Sequence, residues 1–182
     1  MDLLSPRTDE DWMRLALRQA EKAADAGEVP IGAIIVFEGS VIARSCNQVE
    51  TLKDATAHAE ILALTQAAAK LGRWRLNGCT LYVTKEPCPM CAGALANARV
   101  DRVVFGVPDA KAGGCGGFFA IHQCAGLLHS YPVLGGVLEE ESLAVIQDFF
   151  RRRRAEQKEL KRQGEFKIPD SKFNINETKS KN

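Results

Sequence analysis

Residues 80–107 read TLYVTKEPCPMCAGALANARVDRVVFGV. Thr80 to Thr84 is rich in β-favouring side chains and predicts a strand. Cys88 to Ala98 is rich in Ala and predicts a helix, with Pro89 in the first turn, where its missing N–H costs little. Arg102 to Val107 predicts a second strand. Strand, helix and strand in such close succession are the unit of an α/β sheet with helices on its faces.

The same alternation extends in both directions. Upstream, Thr8-Asp9-Glu10-Asp11 fits a capping box. Trp12, Leu15, Ala16, Ala20, Ala23 and Ala24 then recur at helical spacing, and Gly27 stops the run, which predicts a helix over about Asp9–Ala26. Ile31–Phe37 and Ser40–Ser45 read as a hairpin turning at Glu38-Gly39, and a helix follows over about His58–Leu71. Downstream, Gly113, Gly114, Gly116 and Gly117 make the start of Asp109–Tyr131 loop-like, with a short helix expected within Phe118–Leu128. Pro132–Leu138 is expected to hold a short last strand. Glu139 to about Arg162 reads as a long helix with an apolar stripe of Leu143, Ile146, Phe149 and Phe150; its acidic first turn suits the helix dipole. From Gly164 the chain is polar, with too little apolar surface to order itself. The expected organisation is an N-terminal extension (1–8), one domain (9–162) that includes a basic C-terminal helix, and a disordered tail (163–182), with no internal repeat.

A chain of 182 residues, 46% hydrophobic and 26% charged, has the composition of one ordinary globular domain. Its longest strictly apolar run, Ala33 to Phe37, is too short to span a bilayer, and its first residues lack the basic and apolar regions of a secretory signal. The expected location is the cytoplasm, with no membrane partner. There, six Cys are expected to be reduced, metal-binding or buried rather than paired. The net charge of +1 hides an asymmetry: residues 151–182 carry eleven Lys and Arg against five Asp and Glu, so the rest of the chain is net acidic. A basic end suits a polyanionic partner, or is simply a solvated helix and tail.

Two short pieces carry the chemistry. His58-Ala59-Glu60 opens one predicted helix, and Pro87-Cys88-Pro89-Met90-Cys91 joins a strand to another. Separately, the first is an ordinary helix start and the second a redox pair or two small buried residues. Together they supply one imidazole and two thiolates, the ligand types of a tetrahedral zinc site that leaves a fourth position for water. Cys88 and Cys91 are three apart, so both sulfurs can share one helical face at an N-terminus that favours thiolate. Glu60 can then stand beside the metal as the proton shuttle of a hydrolytic site. A closed four-ligand site would need Cys46, Cys79, Cys115, Cys124, His122 or His129, none at a second ligand spacing.

H-x-E followed by P-C-x-x-C resembles the signature of the zinc-dependent nucleobase deaminases of the cytidine and deoxycytidylate deaminase superfamily. Within it the chain is most similar to the bacterial tRNA-specific adenosine deaminases. The matching words are Glu28-Val29-Pro30-Ile31-Gly32-Ala33, Thr56-Ala57-His58-Ala59-Glu60-Ile61, Leu81-Tyr82-Val83-Thr84, Glu86-Pro87-Cys88, Cys91-Ala92-Gly93-Ala94, Arg102-Val103-Val104-Phe105-Gly106, Asp109-Ala110-Lys111 and Asp148-Phe149-Phe150-Arg151. The resemblance implies a three-layer α/β/α sandwich, cytidine-deaminase-like, around a central mixed five-stranded sheet. It implies a homodimer with one Zn2+ per subunit, held by His58, Cys88 and Cys91, with Glu60 catalytic. The implied reaction is deamination of the wobble adenosine (position 34) to inosine in a tRNA anticodon stem-loop. Asn47 would hydrogen-bond the flipped base, Val29 would wall its pocket, and Ala59 and Pro87 would line the substrate. Asp109 and Lys111 would touch flanking nucleotides. Phe149, Phe150, Arg151 and Arg154 would supply rings and guanidinium groups to RNA, with one Phe kept for the core. Lys85, Ala55, Gln48 and Pro108 depart from the family's usual residues, and 112–132 matches poorly. The alternatives are deamination of a free base or nucleoside, such as guanine or cytosine, and a non-catalytic zinc-containing RNA-binding subunit.

Overall fold

The computed structural model describes residues 7–162. The expected tail and most of the expected N-terminal extension lie outside the described residues. The elements, in chain order, are α1 (Asp9–Asp25), β1 (Gly32–Phe37), β2 (Ser40–Cys46), α2 (Val49–Leu52), α3 (Ala59–Leu71), β3 (Cys79–Lys85), α4 (Pro89–Asn97), β4 (Arg102–Val107), β5 (Val133–Leu134) and α5 (Glu139–Arg162). The chain divides into two compact units inside α5, Met1–Phe149 and Phe150–Asn182. The sheet, the core and the candidate site belong to the first.

The five strands form one mixed sheet in the order β2-β1-β3-β4-β5. β1 pairs antiparallel with both β2 and β3, whereas β3, β4 and β5 run parallel. Side chains alternate across this sheet, as a period of two requires. Ile34, Val36, Tyr82 and Val104 pack with Trp12, Met13 and Ala16 of α1. Ala33, Ile35, Leu81, Val83, Val103 and Phe105 pack on the opposite face with Ala63, Leu64 and Ala67 of α3 and Ala92, Leu95 and Ala96 of α4. The result is the expected three-layer α/β/α arrangement.

α1 begins at a complete capping box between Thr8 and Asp11. Its contact with the sheet is close: a Cβ on Gly32 would lie 2.1 Å from the Ala16 carbonyl oxygen and 2.3 Å from the Ala20 nitrogen. No side chain larger than hydrogen fits between α1 and β1 there. The start of α5 approaches β4 in the same way, with Ser142 Oγ 2.5 Å from where a Gly106 Cβ would stand.

Three sequence expectations need correction, and one element was not expected. The helix expected within Phe118–Leu128 is a single 3-10 turn, Ile121–Gln123. Its neighbours spend their backbone N–H groups on other loop carbonyls, Phe119 on Gly113 (2.8 Å) and Ile121 on Gly114 (2.9 Å), rather than on a helical ladder. The strand expected over Pro132–Leu138 is confined to Val133–Leu134. Gly135 follows with the Phe105 ring where its Cβ would be, and Gly136 takes φ 83° and turns the chain. Of the apolar stripe expected on α5, only Phe149 is buried; Ile146 is half-buried, and Leu143 and Phe150 are exposed, while Ser142 is the helix's other buried residue. Finally, the single turn of α2 was not anticipated; four residues are too few for a periodic signal.

Candidate metal centre and active site

α3 and α4 start at the same end of the sheet, and the two residues that precede them face one another. His58 is the N-cap of α3 and Cys88 the N-cap of α4. Neither side chain caps its own helix. Instead His58 Nδ1 lies 3.6 Å from Cys88 Sγ and 3.5 Å from Cys91 Sγ. The three ligand atoms lie within 4.8 Å of one another, and among the described residues they form the only group of three or more that can hold a metal ion. Bonds of about 2.0–2.1 Å to nitrogen and 2.3 Å to sulfur at a tetrahedral angle put N and S about 3.6 Å apart. The spacing therefore fits zinc, and the set stays at three protein ligands. His122 is buried against Tyr131, and His129 Nε2 meets the Val100 carbonyl at 2.8 Å. All six cysteines are free thiols.

The electrostatics follow from two thiols beside one imidazole. The Cys91 thiol and His58 draw the Cys88 thiol down to about 4, against its burial. Cys91 is pushed the other way by Cys88 and by burial, so only one of the pair carries negative charge readily. A divalent cation removes that conflict by stabilising both thiolates. The same Cys88 raises His58 above its ordinary value despite desolvation. Glu60, in the first turn of α3, is buried, and burial pushes its carboxyl up. Its Oε2 has no hydrogen-bond partner. A buried carboxylate oxygen left without a partner is costly unless a ligand completes it, which suits a group that exchanges a proton beside a metal.

The surrounding residues are held by backbone contacts. Ser45 Oγ donates to the Ala59 carbonyl at 2.6 Å, which ties β2 to the start of α3. Ala59 and Pro87 are buried, and Val29 is half-buried. Asn47 is buried immediately after β2; its N–H donates to the Ile31 carbonyl (2.9 Å) and its side-chain amide to Glu28 Oε2 (3.1 Å). Glu28 also accepts from the backbone N–H of Thr51 (2.6 Å) and Glu50 (3.2 Å) at α2. Burial alone would raise the Glu28 carboxyl, but these donors outweigh it and hold it below the ordinary carboxylate value. Asp109 is half-buried and bound by the Lys85 ammonium and by the N–H groups of Lys111 (2.9 Å) and Ala112 (3.1 Å). Lys85, above all, lowers its carboxyl to about 2. Lys111 itself is exposed. Of the paired rings, Phe149 is buried and Phe150 exposed; Arg151 and Arg154 are exposed in the second unit.

Glu28 and Glu86 had no assigned role in the sequence, yet both are almost fully buried, at 1% and 3% exposure. An acid bracketed by Gly27 and Val29, or standing directly before Pro-Cys, was the available signal. Charge alone reads as solvated surface.

The chain is similar to known proteins over most of its length. Residues 7–154 match the family model of the MafB19-like deaminases. The tRNA-specific adenosine deaminase of Bacillus subtilis is 48% identical over 150 residues, 82% of this chain and 93% of that protein. The protein of the same name from Agrobacterium fabrum is 44% identical, over 79% of this chain and 94% of that one. A solved structure of a tRNA:A34 deaminase superposes with a TM-score of 0.72 at 43% identity, covering 74% of this chain and 98% of that one. A guanine deaminase from Nitrosomonas europaea superposes at 0.66 with 28% identity, over 80% and 88% of the two chains. With a deaminase model matching residues 7–154 and relatives of that name 44–48% identical over more than nine-tenths of their own length, the chain belongs to the family of tRNA-specific adenosine deaminases.

Proposed function

We propose that this protein deaminates the wobble adenosine, position 34, in the anticodon loop of tRNA to inosine. The observation that carries the reading is the facing pair of helix starts: one imidazole and two thiols at tetrahedral zinc spacing, with the unpartnered Glu60 oxygen buried beside them. His58, Cys88 and Cys91 would hold one Zn2+ per subunit, and zinc so held supplies hydroxide at neutral pH by lowering the pKa of water to about 7. Glu60 takes the proton that water gives up and delivers it to the departing amine. The C6–N bond breaks, a C6–O bond forms, and ammonia leaves; water supplies the oxygen and the protons, so no redox partner is needed. Burial raises the Glu60 carboxyl, which suits a group that accepts a proton in one step and gives it up in the next.

Asn47, fixed by Glu28, offers its amide to the extruded base, and Val29, Ala59 and Pro87 line its surroundings. A single-stranded loop suits this site because extruding a base costs least there. Asp109 and Lys111, and Arg151, Arg154 and Phe150, contact the RNA around the target. The enzyme acts as a homodimer in the cytoplasm; among the described residues no helix is long and apolar enough to cross a membrane. The test is inosine formation from an anticodon stem-loop carrying A34, set against ammonia release from free guanine and cytosine. Stem-loop turnover that disappears in Glu60→Ala, with bound metal retained, is the expected result. Turnover of free guanine alone, or unchanged activity in the variant, would overturn the proposal.

A further inference from the structure

Glu86 stands at the end of β3, two residues before the first thiol ligand, and its carboxylate is directed into the 109–117 loop rather than toward solvent. Oε2 accepts the Asp109 N–H at 2.7 Å. Oε1 accepts the N–H groups of Cys115 at 2.9 Å and Gly117 at 2.8 Å. The loop is shaped around this group: a Cβ on Gly113 would sit 2.3 Å from the Glu86 carboxyl carbon, and one on Gly117 would sit 2.3 Å from Oε2. The same loop touches the metal-ligand turn itself. Gly114 donates its N–H to the Pro87 carbonyl at 2.7 Å, and its missing Cβ leaves room for the Cys88 carbonyl 3.0 Å away. The Glu86 N–H in turn donates to the Val107 carbonyl at 2.8 Å, closing β3 onto β4.

We propose that Glu86 is a positioning residue that locks the 109–117 loop, with Asp109 and Lys111, to the Pro87–Cys88 turn, so that RNA-contact groups and metal ligands form one rigid unit. The loop has no regular element of its own between β4 and the Ile121 turn, and three of its N–H groups converge on this carboxylate. A neutral side chain of the same size cannot accept all three: whichever way a glutamine amide turns, its NH2 meets at least one N–H donor. The loop then opens while the ligand triad stays. This deepens the function proposed above and rests on it for its kinetic arm only.

The experiment compares wild type with Glu86→Gln and, independently, Gly117→Ala, which keeps the carboxylate but places a Cβ against it. Three quantities are read: zinc per chain, hydrogen exchange of the amides of residues 109, 115 and 117, and kcat and KM on an A34 stem-loop. Both variants should retain the metal and the protection of β1 and β3 amides. They should lose loop protection by at least about tenfold, the order expected when a buried donor loses its partner. KM should rise by a similar factor with kcat changing much less. Loss of zinc, or global loss of protection in both variants, would mean that Glu86 supports the ligands or the fold rather than the loop, and would overturn the proposal. So would unchanged loop exchange. If wild type failed to deaminate the stem-loop, the functional reading would fall, and the exchange and metal measurements would still decide the role of Glu86.

Discussion

Replacing Glu28 by glutamine changes one carboxylate oxygen into an NH2 group and leaves the side chain's volume intact. In the native protein Oε1 accepts from Thr51 N–H (2.6 Å), and Oε2 accepts from Asn47 Nδ2 (3.1 Å) and Glu50 N–H (3.2 Å). Whichever position the new NH2 takes, it faces one or two donors where an acceptor stood. At a residue 1% exposed, a donor deprived of its partner costs about 1–3 kcal/mol. A loss of about 2 kcal/mol in a domain of this size lowers Tm by about 4–8 °C. The pH dependence has a definite sign. The folded-state carboxyl of Glu28 lies below its ordinary value of 4.5, so its stabilisation is fully present above pH 4.5 and is lost as pH falls through the folded value. The gap between wild type and Glu28→Gln should therefore be widest near neutrality and narrow in acid. Denaturant unfolding at pH 7 and at successively lower pH measures it. A kinetic cycle with Asn47→Ala gives the functional arm: the Asn47 substitution should cost less in the Glu28→Gln background, because Asn47 is already released. Equal midpoints for wild type and variant at pH 7, with Asn47→Ala costing the same in both backgrounds, would refute the idea that Glu28 aims Asn47.

Other outcomes follow from the same contacts. Lys85→Met removes the strongest influence on Asp109, so its carboxyl should climb from about 2 toward the ordinary carboxylate value. A carbon-detected NMR titration of Asp109 reads this directly. Because the native carboxyl is depressed, the stability it contributes above pH 3.8 and loses toward pH 2 should shrink in the variant; an Asp109 that still titrates near 2 would show that the backbone donors of Lys111 and Ala112 suffice. Arg151→Ala combined with Arg154→Ala should weaken tRNA binding and reduce the slope of log K against log salt by about 1.4, the figure for two lost phosphate contacts on single-stranded RNA. An unchanged slope would remove these side chains from the RNA interface.

The group that could hold a metal, and the proposed shuttle beside it, were legible because the chemistry proposed for them demands particular residue types at particular spacings. His58, Glu60, Cys88 and Cys91 announce themselves in a way that no packing residue does. The sheet was legible for a related reason: β1, β3 and β4 carry apolar side chains on both faces, and Thr8 and Gly27 mark the ends of α1 by local hydrogen bonding and φ. What stayed hidden were contacts whose partners have no sequence identity. Glu86 is filled by backbone N–H groups and Glu28 mostly by them, with the Asn47 side-chain amide as its third donor; every residue but proline carries a backbone N–H, so the only mark of burial was the immediate sequence around each acid. The loop from Asp109 to Tyr131 was opaque for the same reason, since its order comes from Glu86, Pro87 and its own carbonyls rather than from a period. Leu143 and Phe150 show the opposite: apolar residues at helical spacing are exposed, while Ser142 is the side chain pressed against Gly106.

The central claim is that His58, Cys88 and Cys91 together grip one zinc ion and leave a place open for solvent. X-ray absorption at the zinc edge, on purified protein of known metal content, tests it most directly. The account predicts one zinc per chain with two sulfur neighbours at about 2.3 Å and two lighter neighbours, one of them imidazole, at about 2.0–2.1 Å. A substoichiometric metal, a third sulfur, or a spectrum unaffected by Cys91→Ser would contradict it.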